Sequence, residues 1–327
     1  MQVSRRQFCC TVPALALSLA GTNNPFAFVE DPPEIIPVEK IIPTSAESQK
    51  VVTEIPYIGS YDSFSDDTSV RDRTVYFRNN CYMPIEYKIE FIPEVLGSDV
   101  NLIPNNKYCR KVSDNALIIT LPAREPGKEG KEIRAYSTEG YYSCKARYKL
   151  GAQDAKHDNE ALYSVPFPRG VNWYIAQGNN TGETHNGDSR FAFDFKTTGN
   201  DRRICGMRNG VVVKVKEDSN EGGYDKKYLD KANLILVMHD DGSIANYGHL
   251  KQGSVSKFGI KLGDVVKEGQ VLGEYGMTGF TGSPHLHAEV YVPKGFSEWE
   301  RIQISNRFKG RDERPILYSL TSGSSGN

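Results

Sequence analysis

The chain has 327 residues, which suggests about two domains, and its 38% apolar and 25% charged content is ordinary for a folded, soluble protein. The 40 basic side chains nearly cancel the 41 acidic ones. With no basic stripe interleaved with aromatics, the chain offers nucleic acid no electrostatic footprint.

Residues 1–20 begin with a charged stretch, continue into an apolar run from Phe8 to Ala20, and carry small residues at Ser18 and Ala20. This pattern predicts a signal peptide cut after Ala20, and it implies export to the periplasm, the cell envelope or the medium. The "SRRQF" stretch at Ser4–Phe8 resembles a twin-arginine signal, the alternative being a general secretory signal with two arginines. No later run is long and apolar enough to cross a membrane, so no span is expected in the mature protein. Cys9 and Cys10 leave with the signal. Cys81, Cys109, Cys144 and Cys205 would allow two disulfides in three connectivities, with Cys205 either a bridge partner or a buried free thiol.

Residues 21–54 are proline-rich and aperiodic, and read as an extended linker. Residues 55–155 follow as short alternating segments. In "PIEYKIEF" Ile85, Tyr87, Ile89 and Phe91 share a face, as do Tyr142, Cys144, Ala146, Tyr148 and Leu150 in "YYSCKARYKL". Strands at this spacing predict a β-sandwich-like accessory domain that carries no chemistry of its own. A polar stretch with His157, expected to be an exposed loop histidine, leads into a second strand-rich domain at residues 160–315. There "FAFDF", "GVVVKVK", "NLILVMH", "SIANYGHL" and "HLHAEVYV" read as strands, and "HDDGS" reads as a hairpin turn with a structural or exposed His239 beside it. The polar loop 217–232 either flanks a groove or is solvated decoration. Residues 316–327 read as a flexible tail. The fold class is mainly β throughout, without a long helix.

The chemistry gathers in the second domain. In a strand His285 and His287 share one face with Glu289 beyond them, while Leu286, Ala288 and Val290 point into a core. In "RFAFDF" Asp194 and Ala192 face away from Phe191, Phe193 and Phe195. His249 ends the strand in "NYGHL", and His185 stands in the polar loop "THNGDSR". Imidazole with carboxylate suits zinc, and a catalytic zinc takes three protein ligands and keeps a fourth position for water. Glu289 either orients a histidine from behind or is solvated. Gly273, Gly276, Gly279 and Gly282 either make tight turns or let a thin peptide approach closely.

Read together, "QGNNTGETHNGDSRFAFDF", "GVVVKV", "YGHL" and "LGDVVKEGQVLGEYGMTGFTGSPHLHAEVYV" resemble the lysostaphin/LytM-type zinc metallopeptidases, in one consistent order from about Pro166 to Val292. The resemblance implies an antiparallel β-sheet metallopeptidase domain preceded by a β-domain. By resemblance His185, Asp194 and His287 take the zinc-ligand places, with one Zn2+ per chain. His285 takes the general-base place and His249 the place of a histidine that steadies the charged intermediate. Compact members carry the aspartate four residues after the histidine, where this chain has Ser189; Asp188 is the competitor to Asp194. The family's Pro-Gly-Thr turn is here "KTTGNDRR". The implied function is an exported endopeptidase that cuts stem peptides or cross-bridges of peptidoglycan by a zinc-activated water. The alternatives are a non-catalytic wall-binding module of the same fold and a secreted peptidase acting on proteins.

Overall fold

The computed structural model describes residues 66–309, apart from 72–73, 92–102, 105–106, 138–143, 152–154, 183, 296–297 and 305–307. The expected signal, linker and tail lie outside the described residues.

The first unit comprises β1 (Asp66–Arg71), β2 (Thr74–Asn79), β3 (Ile85–Phe91), β4 (Ile103–Pro104), β5 (Cys109–Ser113), β6 (Ala116–Leu121), β7 (Glu132–Ser137) and β8 (Cys144–Leu150). They form two four-stranded sheets, in the orders β1-β2-β7-β4 and β5-β6-β3-β8. Alternation in β3 buries Ile85, Tyr87, Ile89 and Phe91 as expected, against Leu117, Ile119 and Leu121 of β6. Phe77 of β2 and Ile133 and Ala135 of β7 close that core from the other sheet, which makes the unit a sandwich. The face expected for Tyr142 to Tyr148 lies outside the described side chains.

The second unit contains β9 (Tyr163–Ser164), β10 (Trp173–Gln177), β11 (Phe193–Thr197), β12 (Arg203–Cys205), β13 (Gly210–Lys216), β14 (Gly222–Gly223), β15 (Leu234–Met238), β16 (Ile244–Gly248), a single helical turn α1 (Ser254–Lys257), β17 (Val265–Val266), β18 (Val271–Glu274), β19 (Gly279–Phe280), β20 (Leu286–Gly295), β21 (Glu298–Ile302) and β22 (Phe308–Lys309). Its main sheet runs β10-β11-β20-β16-β15-β13-β17, with β21 also paired to β20. All these pairings are antiparallel. The expected hairpin joins β15 to β16, and Gly242 takes the positive φ of 78° that its turn requires.

The two faces of this sheet divide the labour. Leu286, Ala288 and Val290 of β20, with Phe193 and Phe195 of β11 and Ala245 and Tyr247 of β16, pack into one large core. On the opposite face, β20 carries His287, Glu289 and Tyr291 in succession. Tyr291 joins Ile244, Leu236 and Val213 in a cluster with Met83 of the sandwich, so the first unit docks on the face that bears the histidines. Gly151 makes this approach possible, because a Cβ there would stand 2.5 Å from the Pro293 ring.

One histidine departs from expectation, and a second takes the structural reading. His157 is buried, and its Nε2 lies 2.8 Å from the Tyr163 hydroxyl. His239 is also buried; its Nδ1–H donates to the Asn209 carbonyl at 2.8 Å, beside the Arg208–Asp241 ion pair. The network is built from residues far apart in sequence, so the local polarity around each histidine does not reveal it. Burial lowers the His239 pKa to about 4. The unfolded chain therefore takes up a proton below pH ~6.5 that the folded chain refuses until about pH 4, and stability falls as pH drops through that window. The His239→Asn variant keeps a donor toward Asn209, and between pH 7.5 and 5 it is expected to lose about 2 kcal/mol less unfolding free energy than the parent protein. Denaturant titrations at both pH values check this; equal losses in the two proteins would refute it. Comparing the pair isolates His239, since His287, raised to about 9, acts with the opposite sign in both.

Cys109 and Cys205 are free thiols, and burial pushes both up to about 11. The two disulfides that four cysteines would allow are therefore not both formed, and Cys205 takes the buried-thiol reading.

Candidate metal and catalytic site

Three neighbouring strands set the centre of the site. Asp194 of β11 pairs with His287 of β20, which pairs in turn with Gly248 of β16. The side chains of Asp194 and His287 emerge on the sandwich-bearing face, side by side. Gly248 has no side chain to crowd the His287 ring. His185 enters from the loop between β10 and β11, and its Nε2 lies 3.1 Å from Asp194 Oδ1. His287 Nδ1 reaches the same oxygen at 3.2 Å. One ligand atom from each of these three buried residues lies within 4.8 Å of the others, so the trio could hold a metal ion.

His285 and His249 complete the cluster. His285 Nε2 lies 3.3 Å from Asp194 Oδ2, and the His249 and His285 rings meet edge-on, 4.6 Å apart. His249 directly follows β16 and holds a left-handed φ of 60°, a conformation uncommon outside glycine. All five expected site residues therefore converge. The side chain of Asp188, the competing carboxylate, lies outside the described residues, and Ser189 is buried in a 3-10 turn at Gly187–Ser189.

The hydrogen bonds behind the rings fix their proton positions. His185 donates from Nδ1–H to the Gly178 carbonyl at 2.9 Å, His249 to Thr278 at 2.6 Å, and His285 to Ser283 at 2.8 Å. A carbonyl only accepts, so Nδ1 holds the proton of each neutral ring and Nε2 turns its lone pair toward the site. His287 is reversed: its Nδ1 faces Asp194 while its Nε2 lies 3.8 Å from Glu289 Oε1. Glu289 is buried and also accepts from Asn246 at 3.3 Å. It therefore stands behind the His287 ring and is not solvated, an arrangement common behind metal-ligating histidines.

Charge is balanced among these groups. Burial alone would raise the Asp194 carboxyl, but the three histidines around it, His285 foremost with His185 and His287, hold it well below the usual carboxylate range. Burial alone would lower His287, but Asp194 and Glu289 outweigh it and raise the ring to about 9. His249 is pushed well below its ordinary value by burial and by the neighbouring His285 and His287.

A groove of about 310 Å³ opens beside the cluster, lined by Asp194 and His285 at its floor and by Gln177, Lys196, Tyr224 and Phe280 on its sides. Its aromatic wall settles the reading of loop 217–232. β14 in that loop pairs in parallel with β19, and this brings Tyr224 against Phe280 with ring centroids 4.7 Å apart. Gly279 has a φ of 83°, and a Cβ on it would stand 2.6 Å from Ala232, so it lets β19 approach the end of that loop closely. Gly276 packs against the Lys251 backbone, while Gly282 lies on the groove. Sequence reasoning missed Lys196, which the i, i+2 rule places on the face of Asp194, and Thr278. The Thr278 hydroxyl bonds the Leu250 carbonyl and accepts from the Asn233 N–H, which seats its own carbonyl on His249.

Comparison with known proteins agrees with this geometry. Residues 190–298 match Peptidase family M23. The cell division protein DipM of Caulobacter vibrioides is 34% identical over 110 residues, covering 33% of this chain and 17% of that protein. Lysostaphin of Staphylococcus staphylolyticus is 34% identical over 109 residues, covering 33% and 18%. The glycyl-glycine endopeptidase ALE-1 of Staphylococcus capitis is 34% identical over 123 residues, covering 36% and 29%. The chain thus spans less than a third of the length of each of these relatives. Across residues 190–298, with Asp194, His249, His285 and His287 all inside the match, the chain carries a domain of Peptidase family M23.

Proposed function

We propose that this protein is an exported zinc metalloendopeptidase that hydrolyses peptide bonds in peptidoglycan. The observation that carries the proposal is the meeting of His185, Asp194 and His287 around one point, with His249 and His285 turned toward it. Two imidazoles and one carboxylate are a donor set that fits zinc, and the backbone and carboxylate partners behind the rings are those of ligating histidines. The similarity to DipM and lysostaphin supports the wall as substrate, and the leader at residues 1–20 supports export.

Bound by this trio, zinc would act as a Lewis acid and lower the pKa of a water at its open position. The remaining work belongs to the chain. His285 keeps Nδ1–H on the Ser283 carbonyl, so its Nε2 is ready to take the proton of the attacking water and pass it to the leaving amine. His249 gives its own Nδ1 proton to Thr278, so in the neutral state its Nε2 accepts a hydrogen bond. The role the resemblance gives it, steadying the charged intermediate, needs a proton on Nε2, and burial with His285 and His287 alongside opposes a second proton on that ring.

The test is digestion of purified cell wall by the full chain, zinc-loaded and zinc-stripped, with a His287→Ala control, and products read by mass spectrometry. Peptide-bond cleavage is expected from the zinc-loaded parent alone. Equal digestion by parent and variant would end the zinc-peptidase reading, and release of peptides from casein but not from wall would move the substrate to proteins.

A further inference from the structure

Lys196 follows Asp194 by two residues on β11, so it projects from the same face about 7 Å further along the strand. It lines the groove, half-buried, and donates to the Ser283 hydroxyl at 2.8 Å. That hydroxyl is neutral and leaves the ammonium charge uncompensated among the described residues. The only carboxylate among the groove-lining residues is Asp194, which the metal would engage. No ion pair links Lys196 to any described residue, whereas Lys251 and Lys257 both pair with Glu274 and Lys309 pairs with Glu268. The Ser283 contact also places the ammonium beside the segment that ends in His285, whose Nδ1 is held by the Ser283 carbonyl.

A half-buried cation without a counter-charge is disfavoured when a neutral ligand strips more of its water, and favoured when the ligand brings an anion. From this juxtaposition we propose that Lys196 is a specificity-determining residue that binds a free carboxylate of the substrate within a residue or two of the scissile bond. The inference rests on the peptidase reading and deepens it. It selects acidic wall peptides, with an unamidated carboxylate near the cut, over neutral segments such as runs of glycine. The Tyr224–Phe280 wall is apolar and uncharged, so it accommodates the aliphatic part of such a peptide without competing for the anion.

The experiment begins with the bond identified in the wall digest by the zinc-loaded full chain. The corresponding cross-linked peptide is then made twice, once as the free acid and once with the neighbouring carboxylate converted to carboxamide. The parent protein is expected to prefer the acid by roughly ten- to a hundredfold in kcat/KM, mainly through KM, the size of a hydrogen bond to a charged partner. Lys196→Met should erase that preference and Lys196→Arg should keep most of it. The readout is a ratio between two peptides, so general damage from a substitution cancels. Equal rates on acid and amide by the parent, a preference that survives in Lys196→Met, or a cut bond with no carboxylate nearby would each overturn the assignment. Failure to cut wall at all would instead remove the wall-peptidase reading beneath it.

Discussion

Asp194→Ala is expected to leave the protein folded but unable to retain zinc. Its Oδ1 is the atom on which His185 and His287 converge, and it is the single carboxylate of the trio. Without it two neutral imidazoles remain, a set with too few donors and no negative charge to offset a divalent ion. Loss of a partner behind a ligand already weakens metal affinity by about 10- to 100-fold, so loss of a ligand should exceed about a hundredfold. Metal analysis after dialysis should read close to one zinc per chain for the parent and near zero for the variant, with the fold checked by circular dichroism. The strand need not fail, because Phe193 and Phe195 on its opposite face still hold it to the core. A variant that kept its zinc would transfer the ligand place to another carboxylate, with Asp188 the first to examine.

His285→Ala should behave differently: zinc retained, turnover lost. His285 lies 3.3 Å from Asp194 Oδ2 but outside the trio, and its ring is pinned from behind by the Ser283 carbonyl and the Thr281 hydroxyl. A group so placed positions and moves a proton, and its removal is expected to lower kcat by about 10²- to 10⁴-fold with little change in KM. Metal content and steady-state kinetics on the same preparation check both halves. If the variant kept more than a tenth of the parent turnover, the base would be elsewhere, and the neighbouring His249 would be its seat. That outcome is disfavoured by the physical setting of His249, whose complete burial and two histidine neighbours oppose its taking a proton.

Much of this site could be read from period-two alternation. One strand rule put His287 and Glu289 on one face of β20 with His285 just before it, and a second put Asp194 opposite the phenylalanines of β11. The same rule placed Lys196 beside Asp194, but a lone lysine gives no reason to be noticed until the groove shows that no described residue supplies it a counter-charge. The proton positions were illegible, because they depend on the carbonyls of Gly178, Thr278 and Ser283. Two of these are brought to their histidines by loops whose course no local pattern reports. Tyr224 was hidden for a related reason: a two-residue parallel pairing between Gly222–Gly223 and Gly279–Phe280 leaves almost no periodicity to detect. His157 was misjudged because it sits in a polar stretch, while the network that buries it joins nearby Tyr163 to Arg208 and Asp241 far along the chain. The docking of the sandwich on the histidine-bearing face likewise rests on a few apolar contacts from Met83 to Tyr291, invisible before the sheets are assembled.

The ten residues of β20 belong to two cores at once. Its inward face is part of the main core of the second unit, and Tyr291 on its outward face is sealed under the sandwich. It also pairs with β11, β16 and β21. Any fluctuation that peels this strand away must disrupt both hydrophobic clusters together, so His287 and His285 stand on a part of the fold that opens last. The aromatic wall stands at the edge of the groove, outside both hydrophobic clusters, on the short pairing of β14 with β19. In the proposed peptidase this would leave the fit of differently shaped peptides to Tyr224 and Phe280, while His185, Asp194 and His287 hold their places.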